Sequence, residues 1–453
     1  MQTQKLRVMA GSLRKLLRRK ADGHAINLLT KIRPADISSI FLDLRDKERQ
    51  AIFSLLMQHN CSLAAETLKS IGPERGLDLL TESSPEELSA VLQELESDSA
   101  ALFISTLPEK IGQEVLERME EPADVKGLLQ YEKETAGRIM TPNVFYLSEA
   151  LSVNEAIDAI QTAQDIEMVF YLYVVDDRNH LVGVVSLRQL LMDSPRTPLK
   201  KIMTTDVIAV ITSTDQEEVA QQVALYDLLA IPVVDEENKL VGVITVDDII
   251  DVIKEEATED IFHLAGVDAD DHVYTSPITS VRKRLPWLLL NLATAFLAAT
   301  VVALYEPTIR AFTFLAVFLP VVASLGGSSG TQTLTVIIRG LALGEVTWER
   351  GKSVLFKELI VGLTNGVSIG VVAGTVAYFW NGNFVLGLVL GGAMVPTLFV
   401  AGLLGTLIPL VLKKINIDPA IASGVFVTTL TDAVGFLSFL GLASLLLRHL
   451  TIQ

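Results

Sequence analysis

The fold is decided by the uncharged run LPWLLLNLATAFLAATVVAL, which occupies residues 285–304. It matches the roughly 20 residues that a helix needs to cross the hydrocarbon core of a membrane. Residues 311–338 also contain no charge, and neither do residues 359–412, which a polar turn at residues 380–383 divides in two. Residues 419–447 contain a single charge. The sequence therefore predicts five membrane-spanning helices.

Charge divides the chain into two parts. Residues 1–284 contain 29 Lys and Arg against 48 Asp and Glu, whereas residues 285–453 contain 8 against 6. An acidic soluble half thus precedes an apolar membrane half. We expect no nucleic-acid partner, because phosphate contacts need a basic surface. The single cysteine, Cys61, excludes an intramolecular disulfide and a thiolate metal cluster.

Basic residues near the ends of the uncharged runs predict the orientation. They precede the first run and lie between the second and third and between the fourth and fifth. Because cytoplasmic loops are rich in Lys and Arg, we expect the acidic half to be cytoplasmic. The residues concerned are Arg282, Lys283, Arg284, Arg350, Lys352, Lys357, Lys413 and Lys414.

A first internal repeat lies near the N-terminus. A shift of 51 residues aligns PADI at residues 34–37 with PEEL at residues 85–88, and the apolar residues that follow recur at helical spacing. Pro34 and Pro85 suit the first turn of a helix. Residues 1–128 are therefore predicted to form an all-helical repeat domain.

A second repeat fills the rest of the acidic half. IMTP at residues 139–142 recurs as IMTT at residues 202–205, and each is followed by strand, helix and strand patterns. The last strand is LVGVVS at residues 181–186 in one copy and LVGVIT at residues 240–245 in the other. This order resembles a tandem pair of α/β cystathionine-β-synthase-type (CBS) domains, to which we assign residues 129–253.

The CBS resemblance also implies a nucleotide site. Its motif ends on an aspartate that holds the ribose hydroxyls, and Asp248 occupies this position in the second copy. The first copy has Gln189 instead, and a neutral amide is a weaker acceptor than a carboxylate. ATP binding is therefore expected at one copy at most. The candidate nucleotide-binding residues are Ser186, Arg188, Gln189, Thr245 and Asp248.

An acidic linker, residues 247–275, joins the CBS pair to the first span. Asp248, Asp251, Glu255 and Glu259 are spaced three and four residues apart, so on a helix they share one face. Like charges at this spacing repel unless a cation screens them, and carboxylates with no His or Cys nearby suit Mg²⁺ or Ca²⁺. The alternative is a solvated charged face.

Polar residues inside the membrane half are the candidates for an ion path. Asp432 is the single ionisable residue of the fifth run, where a charged carboxylate costs about 2.5–3.5 kcal/mol and usually faces water. The alternative is a protonated aspartate bonded to a neighbouring helix. Gly366, Gly370 and Gly374 form a small-residue stripe, which predicts helix packing. No catalytic triad, zinc motif or Walker loop is recognisable, so we expect neither an enzyme nor an ATP-driven pump.

Across its whole length the sequence resembles the MgtE family of magnesium transporters and channels. The fold class is then a multi-domain membrane protein: an all-α N domain, an α/β CBS pair, a linker helix and a five-helix membrane domain at residues 285–453. The matching stretches are YVVD (173–176), VGVITVDD (241–248), ATEDI (257–261), GGSSGTQ (326–332), DPAIASG (418–424) and TTLTDAVGF (428–436).

The resemblance implies a function and a set of site residues. It implies a homodimer in the bacterial plasma membrane, with Mg²⁺ moving passively along the two-fold axis and the linker helix acting as a plug that cytoplasmic Mg²⁺ clamps shut. Ser328 departs from the asparagine usual at its position. The implied pore residues are Asp432, Thr428, Thr431 and Gly435. The implied metal ligands are Asp432, Asp248, Asp251, Glu255, Glu256, Glu259, Asp247, Asp227, Asp418 and Asp98.

Two other functions remain open from the residues alone. One is a transporter of Co²⁺ or Mn²⁺ with the same architecture. The other is a membrane sensor that conducts no ion and reports CBS ligands to a partner. A sensor has no need of a carboxylate in the membrane, whereas a cation path does.

Overall fold

A computed structural model of the chain describes residues 2–80, 83–163, 171–269, 271, 273, 275–346, 351–415 and 417–446. Arg350 and linker residues 270, 272 and 274 therefore lie outside the described residues. The chain divides into two compact units, Met1–Val252 and Ile253–Gln453.

The first unit begins with a helical domain. Pro34 and Pro85 each occupy the first turn of a helix, as the repeat predicts, and the buried faces of these helices meet in a core that includes Phe53 and Phe103. The helices are α1 Gln2–Arg18, α2 Asp22–Leu29, α3 Pro34–Leu42, α4 Asp46–His59, α5 Cys61–Ile71, α6 Pro73–Leu80, α7 Pro85–Leu92, α8 Ser97–Thr106, α9 Glu109–Arg118 and α10 Ala123–Leu128.

Two small sheets of identical topology follow, which confirms the tandem α/β repeat. In each sheet the first two strands are parallel and the last two antiparallel. The first copy contains α11 Ala136–Ile139, β1 Tyr146–Ser148, α12 Val153–Thr162, β2 Tyr171–Val175, β3 Leu181–Ser186 and α13 Leu187–Met192. The second contains α14 Leu199–Ile202, β4 Val210–Ile211, α15 Gln216–Leu225, β5 Ala230–Val234 and β6 Leu240–Thr245.

In each copy, the segment that precedes the sheet forms hydrogen bonds with the sheet of the other copy. Thr141, which precedes the first sheet, donates its N–H to Val243 of the second at 2.8 Å, and Thr204 donates to Val184 of the first at 2.9 Å. Each of these contacts packs a methionine on a glycine, and a Cβ on Gly183 or Gly242 would overlap that methionine side chain. The glycine of each LVGV motif is thus required by packing between the copies.

The linker helix α16, Val246–Leu264, runs across the boundary between the two units. The second unit continues with α17 Pro277–Leu304, α18 Glu306–Ala311, α19 Leu315–Ala342, α20 Gly351–Asn381, α21 Phe384–Lys414 and α22 Pro419–Leu445. Five of these six helices are long and apolar enough to cross a membrane, as predicted. Helix α17 begins eight residues before the uncharged run, where Ser276 accepts a hydrogen bond from the N–H of Thr279.

Glycines bring α20 and α21 into close contact. A Cβ on Gly370 would lie 2.5 Å from the carbonyl oxygen of Gly391, and one on Gly374 would lie 2.6 Å from that of Gly387. A Cβ on Gly366 would lie 2.9 Å from the Cα of Val395. The small-residue stripe therefore allows two membrane helices to approach backbone to backbone.

Candidate ion path and cation sites

The predicted pore residues lie on two faces of α22. Thr428 and Asp432, four residues apart, share a half-buried face. Asp432 has no hydrogen bond or ion pair with any residue that the structure describes. A carboxylate in this state needs water or a cation, because an unpaired charge is unfavourable in a membrane.

Thr431 and Gly435 lie on the opposite face, where α22 packs against α19 and α21. Thr431 is fully buried and donates its hydroxyl to the carbonyl oxygen of Thr428 at 2.9 Å. A Cβ on Gly435 would lie 2.8 Å from Val322 and 3.3 Å from Thr397. Within one chain these two residues therefore set the position of α22, whereas the face with Asp432 is only half-buried.

The glycine-rich segment of α19 lies beside this part of α22. A Cβ on Gly330 would lie 2.6 Å from the side chain of Val427, and one on Gly326 would lie 3.0 Å from that of Thr397. Ser328, on the same segment, is exposed in the single chain. The small residues let α19 pack tightly against α22 next to Asp432.

A histidine stands at the membrane end of α16, contrary to our expectation that the acidic stripe has no His nearby. His263 Nδ1 lies 3.2 Å from Oδ2 of Asp418, the N-cap of α22, and its Nε2 lies 3.7 Å from Oε1 of Glu259. Next to them, burial and the negative charge of Asp418 raise the pKa of Asp260. The linker helix thus meets the start of α22 through a mixed histidine and carboxylate cluster.

A second carboxylate pair lies in the first unit. Asp98, in the first turn of α8, is 9% exposed, and its Oδ1 has no hydrogen-bond partner among the described residues. Burial and the charge of Asp98 raise the pKa of Asp248 to about 7. Thr245 donates its hydroxyl to Asp248 at 2.8 Å. The two carboxylates of this pair therefore have fewer hydrogen-bond donors than their oxygens can accept.

The remaining candidate metal ligands are more exposed. Asp251 and Glu255 are exposed on α16, and Glu256 and Glu259 are half-buried. Asp247 Oδ1 lies 2.5 Å from the same Thr245 hydroxyl, and exposed Asp227 follows α15 with a φ of 51°. Over the described ranges, no group of three or more His, Cys, Asp or Glu lies close enough to hold a metal ion.

The candidate nucleotide residues differ between the two CBS copies. Gln189 donates its side-chain amide to the carbonyl oxygen of Ile202 at 2.6 Å, and Ser186 accepts from the N–H of Gln189 at 3.2 Å. Arg188 is exposed. The amide that replaces the aspartate is therefore already used in a hydrogen bond to α14.

The sequence pattern gave no indication of one further buried charge. Glu358 of α20 is 5% exposed, although it directly precedes the uncharged run 359–412. In the structure α20 begins at Gly351, which places Glu358 about two turns inside the helix.

Three family models match the chain. The MgtE model, described as a divalent cation transporter, matches residues 319–442. The MgtE intracellular N domain matches residues 32–134, and the CBS domain matches residues 136–194 and 199–255.

Similar proteins include three named magnesium transporter MgtE. That of Thermus thermophilus is 36% identical over 460 residues, which cover 97% of this chain and 99% of the relative. That of Enterococcus faecalis is 40% identical over 331 residues, 73% of each chain. That of Bacillus subtilis is 32% identical over 427 residues, 94% of each chain.

One solved structure is similar to the soluble part. It is the cytosolic domain of the Mg²⁺ channel MgtE in complex with ATP, which is 35% identical. The match covers 54% of this chain and 99% of that chain, with a TM-score of 0.50.

Proposed function

The chain belongs to the MgtE family of divalent cation transporters, and from this premise we propose that it is a homodimeric channel for Mg²⁺. The ion enters a bacterial cell passively through the plasma membrane, driven by the membrane potential. The acidic N-terminal half lies in the cytoplasm, where it senses Mg²⁺ and closes the path. Nothing in this proposal requires an enzymatic step.

The observation that carries the proposal is Asp432. It is an ionisable residue on a membrane helix, half-buried and without a partner among the described residues. Mg²⁺ gives up its hydration waters reluctantly and is usually held by one or two carboxylates with its waters retained. Two Asp432 side chains across a dimer axis would provide such a site for a largely hydrated ion.

Growth rescue tests this function. The chain is expressed in a bacterium that lacks its own Mg²⁺ uptake, and growth is measured against Mg²⁺ concentration. We expect growth at low Mg²⁺ with the wild-type chain and none with an empty vector. Absence of rescue, with the protein present in the membrane, would contradict the proposal. Uptake of Co²⁺ or Mn²⁺ in preference to Mg²⁺ would support the alternative cargo.

We assign a regulatory Mg²⁺ site to Asp98 and Asp248. The negative charge of Asp98 contributes to the raised pKa of Asp248, and Asp98 Oδ1 has no donor among the described residues. A divalent ion would satisfy both carboxylates at once and would join the helical domain to the CBS pair. Because binding to one arrangement stabilises it by mass action, Mg²⁺ would favour the closed cytoplasmic half.

Asp98→Asn is expected to stabilise the Mg²⁺-free protein at pH 8 and to weaken its response to Mg²⁺. A buried oxygen without a hydrogen-bond partner costs roughly 1–3 kcal/mol, which the substitution can relieve together with the repulsion. Each kcal/mol shifts a thermal midpoint by about 2–4 °C. The test is thermal unfolding of the full chain in detergent, with and without Mg²⁺. Glu94→Gln, which removes an exposed charge in the same domain, is the control.

The raised pKa of Asp248 determines how the stability difference between Asp98→Asn and wild type changes with pH. The pKa of Asp248 is raised above its ordinary value, so the repulsion is present above about pH 7 and is lost as pH falls and Asp248 binds a proton. The difference between Asp98→Asn and wild type should therefore shrink from pH 8 to pH 5. If Asp98→Asn responds to Mg²⁺ as the wild type does, Asp98 and Asp248 do not bind the regulatory ion.

We propose one ATP site per chain, at the second CBS copy. Thr245 and Asp248 there match the nucleotide motif, whereas Gln189 of the first copy is already bonded to Ile202. That a similar cytosolic domain was solved with ATP supports nucleotide binding in this part of the chain.

Calorimetry on the full chain should find no more than one ATP per chain. Thr245→Val should weaken that binding, since it removes a hydroxyl donor while keeping the side-chain shape, and Ser186→Ala should leave it unchanged. Two tight ATP sites per chain would contradict the reading of Gln189.

A further inference from the structure

Glu358 of α20 contacts α19 through its buried carboxylate and α21 through its backbone. Its Oε2 accepts a hydrogen bond from the Thr333 hydroxyl of α19 at 3.3 Å, and its Oε1 lies 2.8 Å from Nζ of Lys357. On the side of α21, a Cβ on Gly402 would lie 2.7 Å from the carbonyl oxygen of Glu358. Glu358 is 5% exposed and Thr333 is 7% exposed, so the contact lies inside the helix bundle.

The hydrogen bond of Thr333 differs from those of its neighbours on α19. Thr331 and Thr335 each donate their hydroxyl to the carbonyl four residues earlier in the same helix. Thr333 instead donates across to another helix. A bond of this kind fixes both the rotation and the axial position of α19, whereas a bond within the helix fixes neither.

The position of α19 matters for Asp432. Gly330 lies three residues before Thr333 and packs against Val427 of α22, and Gly405 of α21 packs against both Gly330 and Thr333. A small rotation of α19 would therefore press side chains into α22 beside Asp432, because these contacts leave no spare room.

We propose that Glu358 is a positioning residue for the ion path. Through Thr333 it holds α19 against α20, and α19 in turn fixes the part of α22 that carries Asp432. Glu358 itself does not touch the ion. This inference rests on the proposed function, since it concerns the path that Mg²⁺ takes.

The test is Mg²⁺ influx into proteoliposomes, measured against external Mg²⁺ and normalised to folded dimer. Thr333→Val keeps the side-chain shape and removes the hydroxyl. We expect it to raise the half-saturating Mg²⁺ concentration roughly three- to tenfold. Thr333→Ser should restore the wild-type value. Thr364→Val, which removes an exposed threonine hydroxyl bonded within α20, is the matched control.

Glu358 variants complete the test. Glu358→Gln keeps an acceptor for Thr333 and should stay close to wild type, whereas Glu358→Ala should behave like Thr333→Val. If Glu358→Ala does not fold, the three threonine variants still decide the outcome. A purely structural role would change the amount of folded protein and leave the half-saturating concentration unaltered.

The outcomes separate this inference from the proposed function. Wild-type protein that conducts Mg²⁺, together with a Thr333→Val variant of unchanged half-saturation, would overturn the positioning role alone. Wild-type protein that carries no Mg²⁺ would overturn the proposed function and the positioning role with it.

Discussion

Asp432→Asn is expected to lower Mg²⁺ influx into proteoliposomes roughly 100-fold, which corresponds to about 2.7 kcal/mol. Asparagine keeps the shape of the side chain and removes its charge, so the path loses its attraction for a doubly charged ion. Because Asp432 makes no hydrogen bond or ion pair with any described residue, no partner inside the chain is left unsatisfied. Folding and dimerisation should therefore be preserved.

The control for this variant is Glu306→Gln. Glu306 is an exposed carboxylate of α18 that pairs with Arg310, so the substitution removes one negative charge from the membrane half away from α22. We expect influx through Glu306→Gln to match wild type. Normal influx through Asp432→Asn, in protein of normal size by gel filtration, would remove Asp432 from the ion path.

The triple variant Asp251→Ala, Glu255→Ala, Glu259→Ala is expected to stay open at Mg²⁺ concentrations that close the wild type. Loss of carboxylates removes ligands for bridging Mg²⁺, and ligand charge sets the affinity of such sites, so closure should require roughly tenfold more Mg²⁺. The substitutions also remove repulsion, which favours closure. Repulsion between charges more than about 8 Å apart is largely screened at cellular salt, so we expect the loss of bridges to dominate.

The measurement is channel current in excised membrane patches while Mg²⁺ on the cytoplasmic face is raised through the millimolar range. A second triple variant, Glu117→Ala, Glu120→Ala, Glu121→Ala, removes the same charge from exposed positions of the helical domain. It should close together with the wild type. If the α16 variant also closes with the wild type, the acidic stripe is a solvated face.

The architecture could be predicted because its signals are local. Uncharged runs of membrane length and two repeated patterns are visible in short windows of sequence. The start of α17 could not be predicted in this way. Arg282, Lys283 and Arg284 mark the N-terminal limit of the uncharged run, whereas the helix already begins at Pro277. Hydropathy indicates only the part of a helix that lies inside the membrane, and the helix can continue beyond the membrane into water.

The site was only partly predictable because its contacts join distant parts of the chain. Asp432 was apparent from its charge in an apolar run. His263 and Asp418 are 155 residues apart, and no local pattern brings them together. Glu358 could not be predicted as buried because it lies just before the uncharged run 359–412, and that run alone predicts the membrane segment. Gly242 illustrates the reverse case, since a glycine of the nucleotide motif also has a packing role between the CBS copies.

The proposed function requires that the chain conducts Mg²⁺ passively. Its most direct test is Mg²⁺ entry into proteoliposomes that contain a Mg²⁺ indicator and no ATP, with the membrane potential set by a K⁺ gradient and valinomycin. A potential of 100 mV, negative inside, drives a doubly charged ion by about 4.6 kcal/mol. We expect internal Mg²⁺ to rise above the external concentration at that potential and only to equalise with it at zero potential. Entry no faster than in protein-free vesicles, or entry that ignores the potential, would contradict it.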